Sequence, residues 1–85
     1  MNRPEVGQLV YFTPDGDTGK ILDVFDVTDT SLGFNLEIGV NVLVLWDENV
    51  GPYASNHLYT ESMFKPYSTE QELLVIKLKY PVKYT

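Results

Sequence analysis

Residues 34–46 read FNLEIGVNVLVLW, with an apolar side chain at every even position from Phe34 to Trp46 and Asn35, Glu37, Gly39, Asn41, Leu43 and Leu45 between them. Successive side chains of a strand point to opposite faces, so a period of two over such a run is that of a β-strand keeping one face in an apolar core. At about 3.3 Å per residue the run would extend for about 43 Å, more than a domain of 85 residues offers a straight strand. Gly39 is therefore expected to mark a sharp bend or a bulge, and strands bent in this way close small barrels.

Before this run, QLVYFT (8–13) is rich in β-branched and aromatic residues and stops at Pro14, and KILDVFDV (20–27) resumes the same character. TDTSLG (28–33) and DENVGPYASN (47–56) are turn clusters, and HLYTESMFKPY (57–67) has room for a short strand or one helical turn. Turns spaced in this way belong to an all-β domain. The expected core is Val10, Phe12, Ile21, Val24, Leu36, Ile38, Val42, Val44, Trp46 and Leu58. The tail, STEQELLVIKLKYPVKY (68–84), opens like a helix, with Ser68 or Thr69 as N-cap and glutamates in the first turn. Leu74, Ile76, Leu78 and Tyr80 nevertheless alternate with Val75, Lys77 and Lys79, and strand is the preferred reading. The expectation is an all-β barrel of five to six strands over residues 1–64. Residues 65–85 form a C-terminal extension packed on the barrel edge or on a partner, with KPYS (65–68) as the joint.

A chain of 85 residues buries only about 60–65% of its unfolded surface, which leaves little apolar material for a catalytic cavity. It has no cysteine, so neither disulfides nor thiolate metal sites can staple it. The opening MNRPEVGQ lacks the apolar core of a signal peptide, and the longest apolar run, Val42 to Trp46, falls far short of the ~20 residues that span a bilayer. A cytoplasmic location is expected. The net charge of −6 is unevenly spread: residues 1–64 hold Arg3 and Lys20 against ten acidic side chains, near −8, whereas residues 65–85 hold four lysines against Glu70 and Glu72, near +2. An acidic body disfavours binding driven by phosphate contacts and suits a basic protein partner.

YFTPDGDTGKILDVFDV (11–27) invites three chemical readings, and each fails. A calcium loop counted from Asp15 would place Asp15, Asp17, Asp23 and Asp26 as ligands but puts Gly19 at the fifth position and Lys20 where the sharp turn needs glycine. A phosphate loop would need glycine at Pro14 and a hydroxyl at Ile21. Asp15 and Asp17 as a phosphatase-like acid pair would need a magnesium framework from a larger domain. Pro14, Asp15 and Gly16 instead make a turn, with Gly19 allowing positive φ or a close backbone approach. His57, the single histidine, reads as a surface or turn residue, and Ser31, Ser55, Ser62 and Ser68 lack a nucleophile-elbow context. No catalytic residue, metal or cofactor is expected, and the protein is taken as non-enzymatic.

Function is expected on the surface. The aromatic residues outnumber the places in so small a core, and Tyr11, Trp46 and Tyr53, with Asp47 and Glu48, are candidates to line a groove for a cationic or peptide ligand. Leu74, Ile76, Leu78 and Tyr80 would present an apolar stripe for strand addition, onto the barrel edge or onto a second copy in a homodimer. Lys65, Lys77, Lys79 and Lys83 are the candidate nucleic-acid contacts.

Four segments in order, VGQLVYF (6–12), TGKILDV (18–24), VLVLWD (42–47) and NHL (56–58), resemble the SH3-like small barrels of the KOW and Tudor type, and in style the short SH3-like proteins of tailed phages. The resemblance implies that Gly7 and Val10 open the first strand, Gly19 and Ile21 the second, that Val44 and Trp46 form the central strand, and that Leu58 closes the barrel. It further implies a binding scaffold without built-in chemistry. On this basis the protein is expected to be a phage-encoded adaptor or modulator that binds a basic protein in the host cytoplasm. The alternatives are a KOW-like nucleic-acid-binding protein of transcription or translation and a minor virion component.

Overall fold

The computed structural model describes residues 3–29, 36–47 and 53–82. Five strands are followed by one helix: β1 (Leu9–Phe12), β2 (Asp17–Val27), β3 (Gly39–Trp46), β4 (Tyr53–Leu58), β5 (Phe64–Tyr67) and α1 (Glu70–Lys79). They form one antiparallel sheet in the order β4-β3-β2-β1-β5. β1 and β2 are joined by the expected turn at residues 13–16, where Gly16 has φ 76° and donates its N–H to the Phe12 carbonyl at 2.8 Å. Gly19 serves as a close approach: a Cβ there would lie 2.6 Å from Val44 Cγ1 and 2.8 Å from the Leu45 carbonyl.

The sheet is not closed into a barrel. β4 and β5 are its two edges, and no ladder joins them. The sheet curls enough for side chains to meet, with the rings of His57 on β4 and Phe64 on β5 at 6.1 Å and each against Phe12. The expected barrel, and with it the likeness to closed SH3-like barrels of the KOW and Tudor type, is therefore corrected to an open five-stranded sheet with a C-terminal helix.

The tail does not supply another strand. Thr69 takes extended backbone at φ −128° and ψ 159°, and its hydroxyl oxygen accepts the Glu72 N–H, as a helix N-cap does. Glu70 and Glu72 lie in the first turn and Lys77 and Lys79 in the last, each sign at the end where the helix dipole favours it. Leu73, Ile76 and Tyr80 then fall on one side and pack against Leu9, Tyr11 and Tyr67. Burial of that helical face outweighs the strand-like alternation. β5 runs across residues 64 and 65, where the sequence separates body from extension.

The main core lies on the concave face, with Val10, Ile21, Val42, Val44, Trp46 and Phe64 buried and Phe12, Val24, Tyr59 and Met63 packed against them. Leu36 and Leu58 are half-buried, and Ile38, expected inside, is 63% exposed. The reason is that β3 begins only at Gly39, at φ 135°, so Ile38 precedes the strand instead of continuing its alternation. The sharp bend or bulge expected at Gly39 is a positive-φ residue at the start of β3, and the bulge in the β2–β3 ladder lies at Leu22, between the pairs Ile21–Val44 and Asp23–Leu43. This extra residue moves the core-facing phase of β2 from odd to even positions, which brings Val24 opposite Val42.

Candidate binding surface at the β4 edge

Of the residues singled out from sequence, the fold brings Trp46 and Tyr53 together. Tyr53 is the register partner of Trp46, so both side chains leave the sheet on the same face, Trp46 buried and Tyr53 57% exposed. Asp47 turns to the other face, its carboxylate accepting from the Thr18 hydroxyl at 3.2 Å on the side of Tyr11 and Tyr67, and its N–H bonded to the Thr18 carbonyl. Glu48 lies outside the described residues. Tyr11 is buried on the opposite face of the sheet, donating its hydroxyl to the Tyr80 carbonyl at 2.9 Å. The tail quartet is split by the helix, with Ile76 and Tyr80 turned to the sheet and Leu74 and Leu78 exposed. The ammonium groups of Lys65 and Lys79 lie 4.6 and 5.7 Å from the centre of the Tyr80 ring. Lys77 is exposed on the other flank of α1, and Lys83 lies outside the described residues.

Sequence reasoning missed Ser55 and His57. β4 alternates Tyr53, Ser55 and His57 on the concave face against Trp46, Val44 and Val42 of β3, a period-two pattern hidden because its members are polar. The Trp46 indole N–H donates to the Ser55 hydroxyl at 2.8 Å, and that hydroxyl lies 2.8 Å from His57 Nε2. An indole can only donate, so the Ser55 oxygen is the acceptor from Trp46, and the bond between Ser55 and His57 runs in whichever direction the imidazole tautomer sets. Burial lowers the His57 pKa, opposed by the negative charge of Asp15. A serine beside a histidine is the start of a nucleophile–base pair. Here, however, the oxygen is engaged by Trp46, and the chain Trp46–Ser55–His57 fastens β4 to β3.

Among the described residues no strand pairs with the opposite side of β4. Among the described residues β4 is a sheet edge, and Tyr53–Leu58 contains neither proline nor a charged side chain. The other edge, β5, carries Lys65 and Pro66, two devices that discourage further pairing. Tyr59 donates its N–H to the Val40 carbonyl. Antiparallel pairing alternates between hydrogen-bonded and non-bonded pairs, so His57, Ser55 and Tyr53 face β3, and Ala54, Asn56 and Leu58 direct their peptide groups outward. Beside this edge a cleft of about 230 Å³ is lined by Asn56, His57 and Leu58 with Leu36, Glu37 and Met63. Its wall is held by buried Asn41, whose amide donates to the carbonyls of Glu37 at 2.9 Å and Gly39 at 3.1 Å. The exposed Glu37 side chain gives the cleft an acidic border.

No protein-family model, curated protein or solved structure matches the chain, which leaves the likeness to short phage proteins without support. Among the described residues no helix is long and apolar enough to cross a membrane.

Proposed function

We propose that the protein is a non-enzymatic interaction module that captures an extended, basic segment of a partner protein by strand addition to β4. The observation that carries this reading is the undefended β4 edge next to a cleft bordered by Glu37. In strand addition the backbone bonds supply affinity, and pockets for alternate side chains supply specificity. The peptide groups of Ala54, Asn56 and Leu58 would pair with the incoming strand. A lysine or arginine of that strand would enter the cleft toward Glu37, and Tyr53 would cover its far end. The acidic body, with Asp15 close enough to His57 of β4 to act on its charge, supports a basic partner by speeding encounter more than by holding the complex.

The test is hydrogen exchange during titration with an extended peptide alternating lysine and valine. Amides of Ala54, Asn56 and Leu58 should gain protection. Asn56→Pro removes one outward donor without touching the β3–β4 bonds and should abolish binding, and Glu37→Lys should weaken it at least ~10-fold. Binding that leaves the β4 amides unprotected, or equal binding of a glutamate-alternating peptide, would refute the proposal.

A further inference from the structure

α1 is apolar on two opposite sides. Leu73, Ile76 and Tyr80 turn to the sheet, while Leu74, Val75 and Leu78 are 58%, 62% and 83% exposed. At about 100° per residue, Leu74, Leu78, Gln71 and Val75 form one continuous stripe opposite the buried face. A helix at the solvent boundary ordinarily carries polar residues there. The charges sit on the two flanks instead, Glu70 with Lys77 on one and Glu72 with Lys79 on the other, all four exposed. The members of each pair are about 10 Å apart along the axis, so each flank is negative near the start of the helix and positive near its end.

We propose that this stripe is the contact between two copies of the chain, paired through α1 in an antiparallel, two-fold arrangement. A two-fold axis perpendicular to the helix, passing between Leu74 and Val75, sets each flank beside the same flank of the other copy with its direction reversed. Glu70 then faces Lys77 of the second copy, and Glu72 faces its Lys79. Parallel pairing would instead put Glu70 beside Glu72 and Lys77 beside Lys79, like charges at both ends. A groove of about 510 Å³ lined by Thr69, Gln71, Glu72, Val75 and Ile76 runs along the Glu72 side of the stripe. A helix of ten residues is about 15 Å long, so the contact falls below the ~800 Å² per partner of a standard interface, and the dimer is a weak one in the micromolar range. α1 packs at the β1–β5 end of the sheet, away from β4, so the dimer displays two β4 edges, and a partner with two basic segments gains avidity.

Sedimentation equilibrium of the full chain between ~5 and ~500 µM, the range of a weak interface, should show monomer and dimer in exchange. Leu78→Glu should raise the dissociation constant at least ~10-fold with an unchanged far-UV spectrum. The pair Glu70→Lys with Glu72→Lys and the pair Lys77→Glu with Lys79→Glu should each leave monomers, and mixing the two variant proteins should restore the dimer. A wild-type chain monomeric throughout, a dimer indifferent to Leu78→Glu, or charge variants that self-associate like the wild type would overturn the proposal. Peptide binding at β4 should persist in Leu78→Glu, so the two surfaces succeed or fail separately.

Discussion

His57 is the residue whose chemistry most constrains its surroundings. Its ring lies 5.5 Å from those of Phe12 and Trp46 and 6.1 Å from that of Phe64, and Nε2 lies 2.8 Å from the Ser55 hydroxyl oxygen. Protonation would place a charge within these rings, where burial disfavours it. With the folded pKa below the ordinary 6.5, the unfolded chain binds the proton first as pH falls. The stabilisation is therefore complete above about 6.5 and is lost as pH drops through the lowered value. Urea midpoints measured from pH 8 to pH 5 should fall more steeply for the wild type than for His57→Gln, whose amide can donate or accept the same bond. Equal slopes would show that His57 does not titrate in the folded protein. Buried Val44 tests the packing beneath this cluster: Val44→Ala should cost about 1–3 kcal/mol in urea unfolding. A lone histidine in a sequence says nothing of this, because Trp46, Ser55 and Phe64 reach it only through register and curl.

Elements were legible where side-chain period and backbone chemistry agreed. Val42, Val44 and Trp46 keep the core face of β3, and Pro14, Asp15 and Gly16 lie in the turn after β1. The tail misled because Ile76 and Tyr80 satisfy both patterns, alternating along a strand and sharing a face of a helix with Leu73. What separates the two is the cap. Thr69→Ala removes the acceptor for the Glu72 N–H and should cost about 1 kcal/mol, read from thermal or urea unfolding. The phase of the helix has a sharper test. Leu73→Ala should cost about 2–5 kcal/mol, since Leu73 is buried against Tyr11 and Tyr67. Leu74→Ala should change the stability of the monomer by no more than ~0.5 kcal/mol. A tail built as a strand would reverse that order.

Across the whole molecule, local sequence determined that strands form within residues 8–13, 20–27 and 34–46, where the first turn lies, and that Val10, Ile21, Val42, Val44 and Trp46 face a core. Each follows from alternation or turn chemistry within a few residues, and so can be read without knowing the neighbours. Tertiary structure decided the rest. The bulge at Leu22 exists because β2 must match β3 on both sides of it. No ladder joins β4 to β5, and the two edges meet only through side chains such as the rings of His57 and Phe64. The tail is helical because β1 and β5 offer Leu9, Tyr11 and Tyr67 as a surface for Leu73, Ile76 and Tyr80. β4 becomes an edge, and so the candidate binding strand, only through the order in which the strands pair. Strand order and sheet closure depend on contacts between residues far apart in the chain, and no local pattern of side chains encodes them.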